Sequence, residues 1–191
     1  IEYDRKCQSL PDFVPSRLFI YYNERAMEGT INQDAGAQIR DGIKSANKLG
    51  APAESFWPFD PSKITVKPSD EAYLAAQKNI IKQYALVPQK IDHFLSVLSH
   101  NIPIVFGTML FPVFESMQIA ETGMIPMPGT TDAPIGGHAM LIVGAIQDTQ
   151  QFIVRNSWGP EWGDKGYCYM PFDYIMNPDL TDDCWCVWSV T

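Results

Sequence analysis

The chain has 191 residues, 46% of them hydrophobic and 12% aromatic, and a formal net charge of -8. That length and composition fit a compact globular protein with a substantial core and exclude a disordered or fibrous chain. The acidity, with no run of lysines or arginines, argues against nucleic acid and anionic membrane as partners, and no stretch approaches the roughly 20 apolar residues of a bilayer span.

The sequence opens at Ile1 without a methionine or an apolar leader, and it is expected to be an internal piece of a longer product. Ser16, after Pro15, is placed to cap a helix through Leu18, Phe19 and Tyr22. A second helix is expected from near Asp34, with Ile39, Ile43, Ala46 and Leu49 at helical spacing and Gly50 as its stop. Prolines 52, 58, 61 and 68 make residues 51–68 a covering loop whose Phe56-Trp57-Pro58-Phe59 cluster should pin into the core. A short helix is expected over Asp70–Lys82.

After Pro88, a helix bearing Ile91, Phe94, Leu95 and Leu98 leads into the strand-like run Ile102–Met109. Ala139–Ile146 and Phe152–Arg155, separated by five polar residues, read as a hairpin, and Tyr167–Met170 as a further strand. Asp182-Asp183 reads as a solvated turn, and His93 and His100 as surface or capping residues. The fold class is α+β: a helical lobe over residues 1–88 and a β-rich lobe over 89–191.

Four cysteines, Cys7, Cys168, Cys184 and Cys186, are too few for a disulfide scaffold, and each is expected to be a structural thiol. Three histidines without an i, i+4 pair argue against a zinc peptidase, and no lysine follows the glycine-rich segments at P-loop spacing, so neither metal nor cofactor is expected. The hairpin is the informative element. His138 stands at the start of its first strand and Asn156 at the end of its second, and antiparallel pairing sets those ends side by side. A neutral imidazole acts as a base when one nitrogen is free and the other is held as a donor, and an asparagine carbonyl can hold it without adding charge. Gly136-Gly137 before the histidine leaves room for a ligand.

The segments Gly137-His138-Ala139-Met140-Leu141-Ile142-Val143-Gly144 and Arg155-Asn156-Ser157-Trp158-Gly159-Pro160-Glu161-Trp162-Gly163 resemble the histidine and asparagine motifs of the papain-like cysteine peptidases. Asp34-Ala35-Gly36-Ala37, Leu49-Gly50 and Trp57-Pro58-Phe59 are similar to that family's substrate wall, long helix and aromatic-proline loop. Residues 15–24 and 180–183 resemble its bacterial and viral branch. The resemblance implies a two-lobed fold, a helical lobe and a β-barrel-like lobe with the cleft between them. It implies His138 as base and later acid, Asn156 as its orienter, and Trp158 as cover for their hydrogen bond. Trp162 would sit on the primed side of the cleft, Gly36 and Ala37 would pair with an extended peptide, and Gly137 would line the specificity cleft through its backbone.

The family's nucleophilic cysteine and oxyanion glutamine have no counterpart in the chain. Residues 1–6 resemble the far end of the helix that carries that cysteine, and Cys7 would lie at its wrong end. Asp34 stands where many relatives carry a disulfide cysteine. The expected function is therefore a cysteine endopeptidase acting on peptide or protein substrates, its nucleophile supplied by an upstream segment of the same precursor, with this chain inert alone and a propeptide as a further candidate partner. The alternatives are a catalytically inactive papain-like peptide-binding protein and an acyl-transferring relative.

Overall fold

The computed structural model describes residues 1–191, which divide into two compact units, Ile1–Ala85 with Val187–Thr191 and Leu86–Cys186. The first unit holds four helices: α1 (Glu2–Cys7), α2 (Arg17–Glu28), α3 (Ile39–Leu49) and α4 (Asp70–Ala76). Ser16 begins α2 as expected. Its buried hydroxyl accepts the Phe19 N–H at 3.1 Å and donates to the Trp57 carbonyl at 2.6 Å, tying the helix start to the proline-rich loop. Phe19, Ala72 and Ala76 form a core cluster on which Trp57 and Tyr73 pack. Of the aromatic cluster in that loop only Trp57 reaches the core, since Phe56 and Phe59 are 43% and 51% exposed.

Two expected boundaries shift. The second helix starts at Ile39 and not near Asp34, because Gly36 has φ of 74° and Gln38 is an extended N-cap. The helix expected to run to Lys82 stops at Ala76, where Asn79 exchanges hydrogen bonds with Ala51 and accepts one from Arg5 at 2.6 Å. A strand, β1 (Ile81–Leu86), follows instead.

Glu24 of α2 lies against α3, its Oε2 only 2.3 Å from where a Cβ on Gly42 would be, so a side chain at Gly42 would displace the carboxylate. Burial, with Glu28 and Asp41 nearby and only partly opposed by Arg25, pushes the Glu24 carboxyl from its ordinary 4.5 up to about 7. An acid whose folded pKa exceeds its unfolded value destabilises the fold as pH rises between the two, here from 4.5 to about 7. With discounting for its half-buried setting, the loss is on the order of 1–2 kcal/mol. Glu24→Gln is expected to match the wild type near pH 4 and to exceed it by that amount at pH 8, as measured by urea denaturation at both pH values.

The second unit contains α5 (Ile91–Ser99), β2 (Ile104–Leu110), α6 (Met117–Thr122), β3 (Gly136–Ile146), β4 (Gln151–Arg155), β5 (Tyr167–Pro171) and α7 (Phe172–Met176). The last strand, β6 (Thr181–Val190), begins in this unit, and its final residues belong to the first. Strand order in the sheet is β1-β6-β2-β3-β4-β5, so β1 and β5 are edges and the sheet is open, not the closed barrel that "barrel-like" implied. β2 pairs antiparallel with β3 and β6, β3 with β4, and β4 with β5. Asp182-Asp183 is part of β6 and not a solvated turn; Asp182 pairs with Gly107 beside a register shift, and Asp183 has φ of 49°.

The alternation that fills the core also aims the site. Met140, Ile142, Phe152 and Val154 are buried on one face, where Phe152 meets Phe94 and Phe172 at ring separations of 5.7 and 4.5 Å. Asn156 continues the parity of Phe152 and Val154, and it is buried. His93 is exposed, and His100 is the C-cap of α5, its Nδ1 2.8 Å from the Ser96 carbonyl.

Candidate active site

In the β3–β4 hairpin Leu141 lies opposite Arg155 and Ile142 opposite Val154. One step beyond the last pair, that register brings Asn156 opposite Met140, which shares a face of β3 with His138 two residues away. The side chains meet accordingly: His138 Nε2 is 2.8 Å from Asn156 Oδ1. The same oxygen accepts the Ser157 backbone N–H at 2.8 Å, which fixes it as the carbonyl end of the amide. Nε2 must then carry a proton, and in the neutral ring Nδ1 keeps the lone pair. This is the tautomer of an imidazole able to take a proton at Nδ1.

The loop after β4 holds Asn156 from behind. Its backbone N–H bonds the Gly166 carbonyl at 2.9 Å, and Gly166 in turn donates to the Trp162 carbonyl at 2.8 Å. Gly163 permits this turn: its φ is 61°, and a Cβ there would come within 2.3 Å of the Tyr167 carbonyl. Trp158 lies 5.4 Å from the His138 ring and 38% of it is exposed, so it screens one side of the imidazole from water. Trp162, which the resemblance put on the primed side of the cleft, packs inward. It is only 8% exposed and meets Trp158 edge to face at 5.1 Å, so it supports Trp158. Around Gly136 and Gly137 the space is open, with no other part of the chain within 4 Å of a Cβ at either.

A cavity of about 260 Å³ lies beside Asn156, lined also by Arg155, Ser157, Pro160, Lys165 and Tyr167; His138 does not line it. No thiol of the second unit suits nucleophilic chemistry. Cys168, Cys184 and Cys186 are buried, and burial pushes the Cys168 and Cys184 thiols up to about 12. Cys7 is exposed, in contrast to the structural thiol expected, but it ends α1 instead of starting it, where a helix offers a thiolate no stabilisation.

Residues 27–183 match the papain family of cysteine proteases. The chain belongs to that family. A peptidase C1-like protein of Acanthamoeba polyphaga mimivirus is 43% identical over 187 residues, which are 94% of this chain and 60% of the relative. The chain thus spans 60% of that relative's length. The structure of xylellain, a cysteine protease from Xylella fastidiosa, superposes with a TM-score of 0.91 at 41% identity, covering 100% of this chain and 76% of xylellain. Bromelain from Ananas comosus, solved with the inhibitor E64, shares the fold at a TM-score of 0.66 and 18% identity, over 98% of this chain and 82% of bromelain.

Among the papain-family positions named from sequence, the second unit gathers His138, Asn156, Trp158 and Trp162, with Gly137 next in chain to the histidine. Gly36 and Ala37 belong to the first unit. There Gly36 does not present its N–H freely: it donates to the Tyr21 hydroxyl at 3.2 Å. Ala37 keeps both its N–H and its carbonyl unpaired within the chain, the pattern strand addition requires. Sequence reasoning missed Tyr21. Its signal lay in Arg25 at helical spacing from Leu18 and Tyr22, a cation on an apolar stripe.

Proposed function

We propose that the chain forms the base-bearing part of a cysteine endopeptidase, in which His138 is the catalytic base and Asn156 its orienter. The observation that carries this reading is the 2.8 Å bond from His138 Nε2 to Asn156 Oδ1, which leaves Nδ1 as the acceptor. In the resting pair, Nδ1 holds the proton of a thiol and the thiolate attacks the peptide carbonyl. The imidazolium then gives that proton to the leaving amine, and the neutral ring activates the water that hydrolyses the thioester. A neutral orienter suffices because the charge of the imidazolium is balanced by the thiolate.

The environments of the chain's own cysteines support a nucleophile from elsewhere in the precursor, upstream of Ile1. Ala37 then supplies the backbone pairing for an extended substrate. A chloroacetamide-type thiol probe tests this on protein produced with its upstream segment. One thiol outside the 191 residues is expected to label far faster than the rest, with a rate that falls at least tenfold in His138→Ala. Fastest labelling at Cys7, or a rate indifferent to the histidine, would exclude the proposal and favour a peptide-binding protein without chemistry. The 191-residue chain alone should show no cleavage.

A further inference from the structure

Tyr21 and Arg25 lie one turn apart on α2, and together they bond to residues 31, 33, 34 and 36. The Tyr21 hydroxyl accepts the Gly36 N–H at 3.2 Å and donates its own proton to Asp34 Oδ1 at 2.5 Å, so one oxygen bridges the two ends of the Asp34–Gly36 segment. Burial and the Asp34 carboxylate raise the phenol above its ordinary range, which keeps that proton in place. The ring is not free to swing. The Arg25 guanidinium stacks 4.0 Å from its centroid and is itself fully buried. Arg25 donates to the carbonyls of Tyr21 at 3.2 Å, Ile31 at 2.9 Å and Gln33 at 3.0 Å, and to that of Ile64.

The outcome is a segment held at residues 31, 33, 34 and 36 that leads to Ala37, which makes no backbone hydrogen bond within the chain. Glu28 Oε1 accepts the Gln38 N–H at 2.8 Å, closing the far side. A residue with both backbone groups unpaired, between neighbours that are each hydrogen-bonded, is preorganised for pairing with a peptide.

We propose that Tyr21 is a positioning residue for substrate binding, holding Asp34 and Gly36 so that Ala37 presents its N–H and carbonyl to an extended peptide. This rests on the peptidase reading above. It also differs in sign from a rival role, in which the hydroxyl occupies a Gly36 N–H that substrate must win back. Positioning makes removal of the hydroxyl harmful, and competition makes it beneficial.

Tyr21→Phe keeps the ring over Arg25 and removes only the bridge. In protein carrying its upstream segment, kinetics on a capped tripeptide and a capped single residue with the same fluorogenic leaving group should separate. KM for the tripeptide is expected to rise about 5–20-fold while kcat/KM for the single residue stays within twofold. Asp34→Asn in a chain that keeps Tyr21 retains an acceptor for the phenol and should leave both substrates at wild-type values, so the effect of Tyr21→Phe is not one of charge. Amide hydrogen exchange on the same variant gives a readout independent of cleavage: Gly36 should exchange at least tenfold faster in Tyr21→Phe. Unchanged exchange, equal loss on both substrates, or a lower tripeptide KM would each overturn the proposal. A wild type that binds the tripeptide without cleaving it would sink the peptidase reading alone, and a tripeptide Kd raised 5–20-fold in Tyr21→Phe would then uphold the positioning role while an unchanged Kd would end it.

Discussion

Replacing Asn156 with alanine is expected to lower kcat by about 10–100-fold, and replacing His138 with alanine by about 100–10,000-fold, in protein that carries its nucleophile. The double variant should be no slower than His138→Ala. In the proposed mechanism Asn156 acts only through the ring it holds: its Oδ1 fixes Nε2 as the donor, and its own amide is pinned by the Ser157 N–H and its backbone by Gly166. Once the ring is gone, nothing remains for the amide to orient, and the two effects cannot add. A double variant slower than His138→Ala by a further tenfold would give Asn156 an independent role, such as direct contact with substrate. The stability of Asn156→Ala should be followed alongside, because Asn156 is buried and its Nδ2 has no partner, so the variant removes an unsatisfied donor as well as a bond.

The parts of this fold that were legible in the sequence are those whose cause is local. Ser16 caps α2 through a bond to Phe19 three residues on, and the hairpin bearing His138 and Asn156 follows from two apolar runs around a polar turn. What failed was set by distant partners. β1 buries almost nothing on either face except Ile81, so its sequence carries no strand alternation, and the residues beside it in the sheet lie about a hundred positions away in β6. Within β6 the acidic pair Asp182-Asp183 hides a strand, because the register shift opposite Val105 and Gly107 gives those residues a place the alternating pattern lacks. At the site, motif and parity were enough to bring His138, Asn156 and Trp158 together. They did not show that Trp162 is buried beneath Trp158, which depends on Gly163 donating to the Ala120 carbonyl at 2.7 Å across a separate helix.

Arg25 of the first unit is fully buried and bonded to four carbonyls, so its loss should be costly. Arg25→Ala is expected to reduce stability by on the order of 3 kcal/mol, measured by urea denaturation near pH 7. The guanidinium has no carboxylate bonded to it; its charge is balanced by four carbonyl dipoles and the face of Tyr21. Removing it strands those carbonyls in a partly buried setting, where water recovers some of their bonds but not all. Lysine should rescue little, since a single ammonium cannot reproduce a planar fork that reaches carbonyls of α2, of the loop after it and of Ile64 together. A loss under about 1 kcal/mol would mean that the loop finds other partners and that Arg25 does not hold it. The same variant separates fold from function: because Arg25 touches the 31–33 segment and Tyr21 at once, its effect on amide exchange should spread from residue 31 to residue 36, whereas Tyr21→Phe should confine it to the Gly36 end.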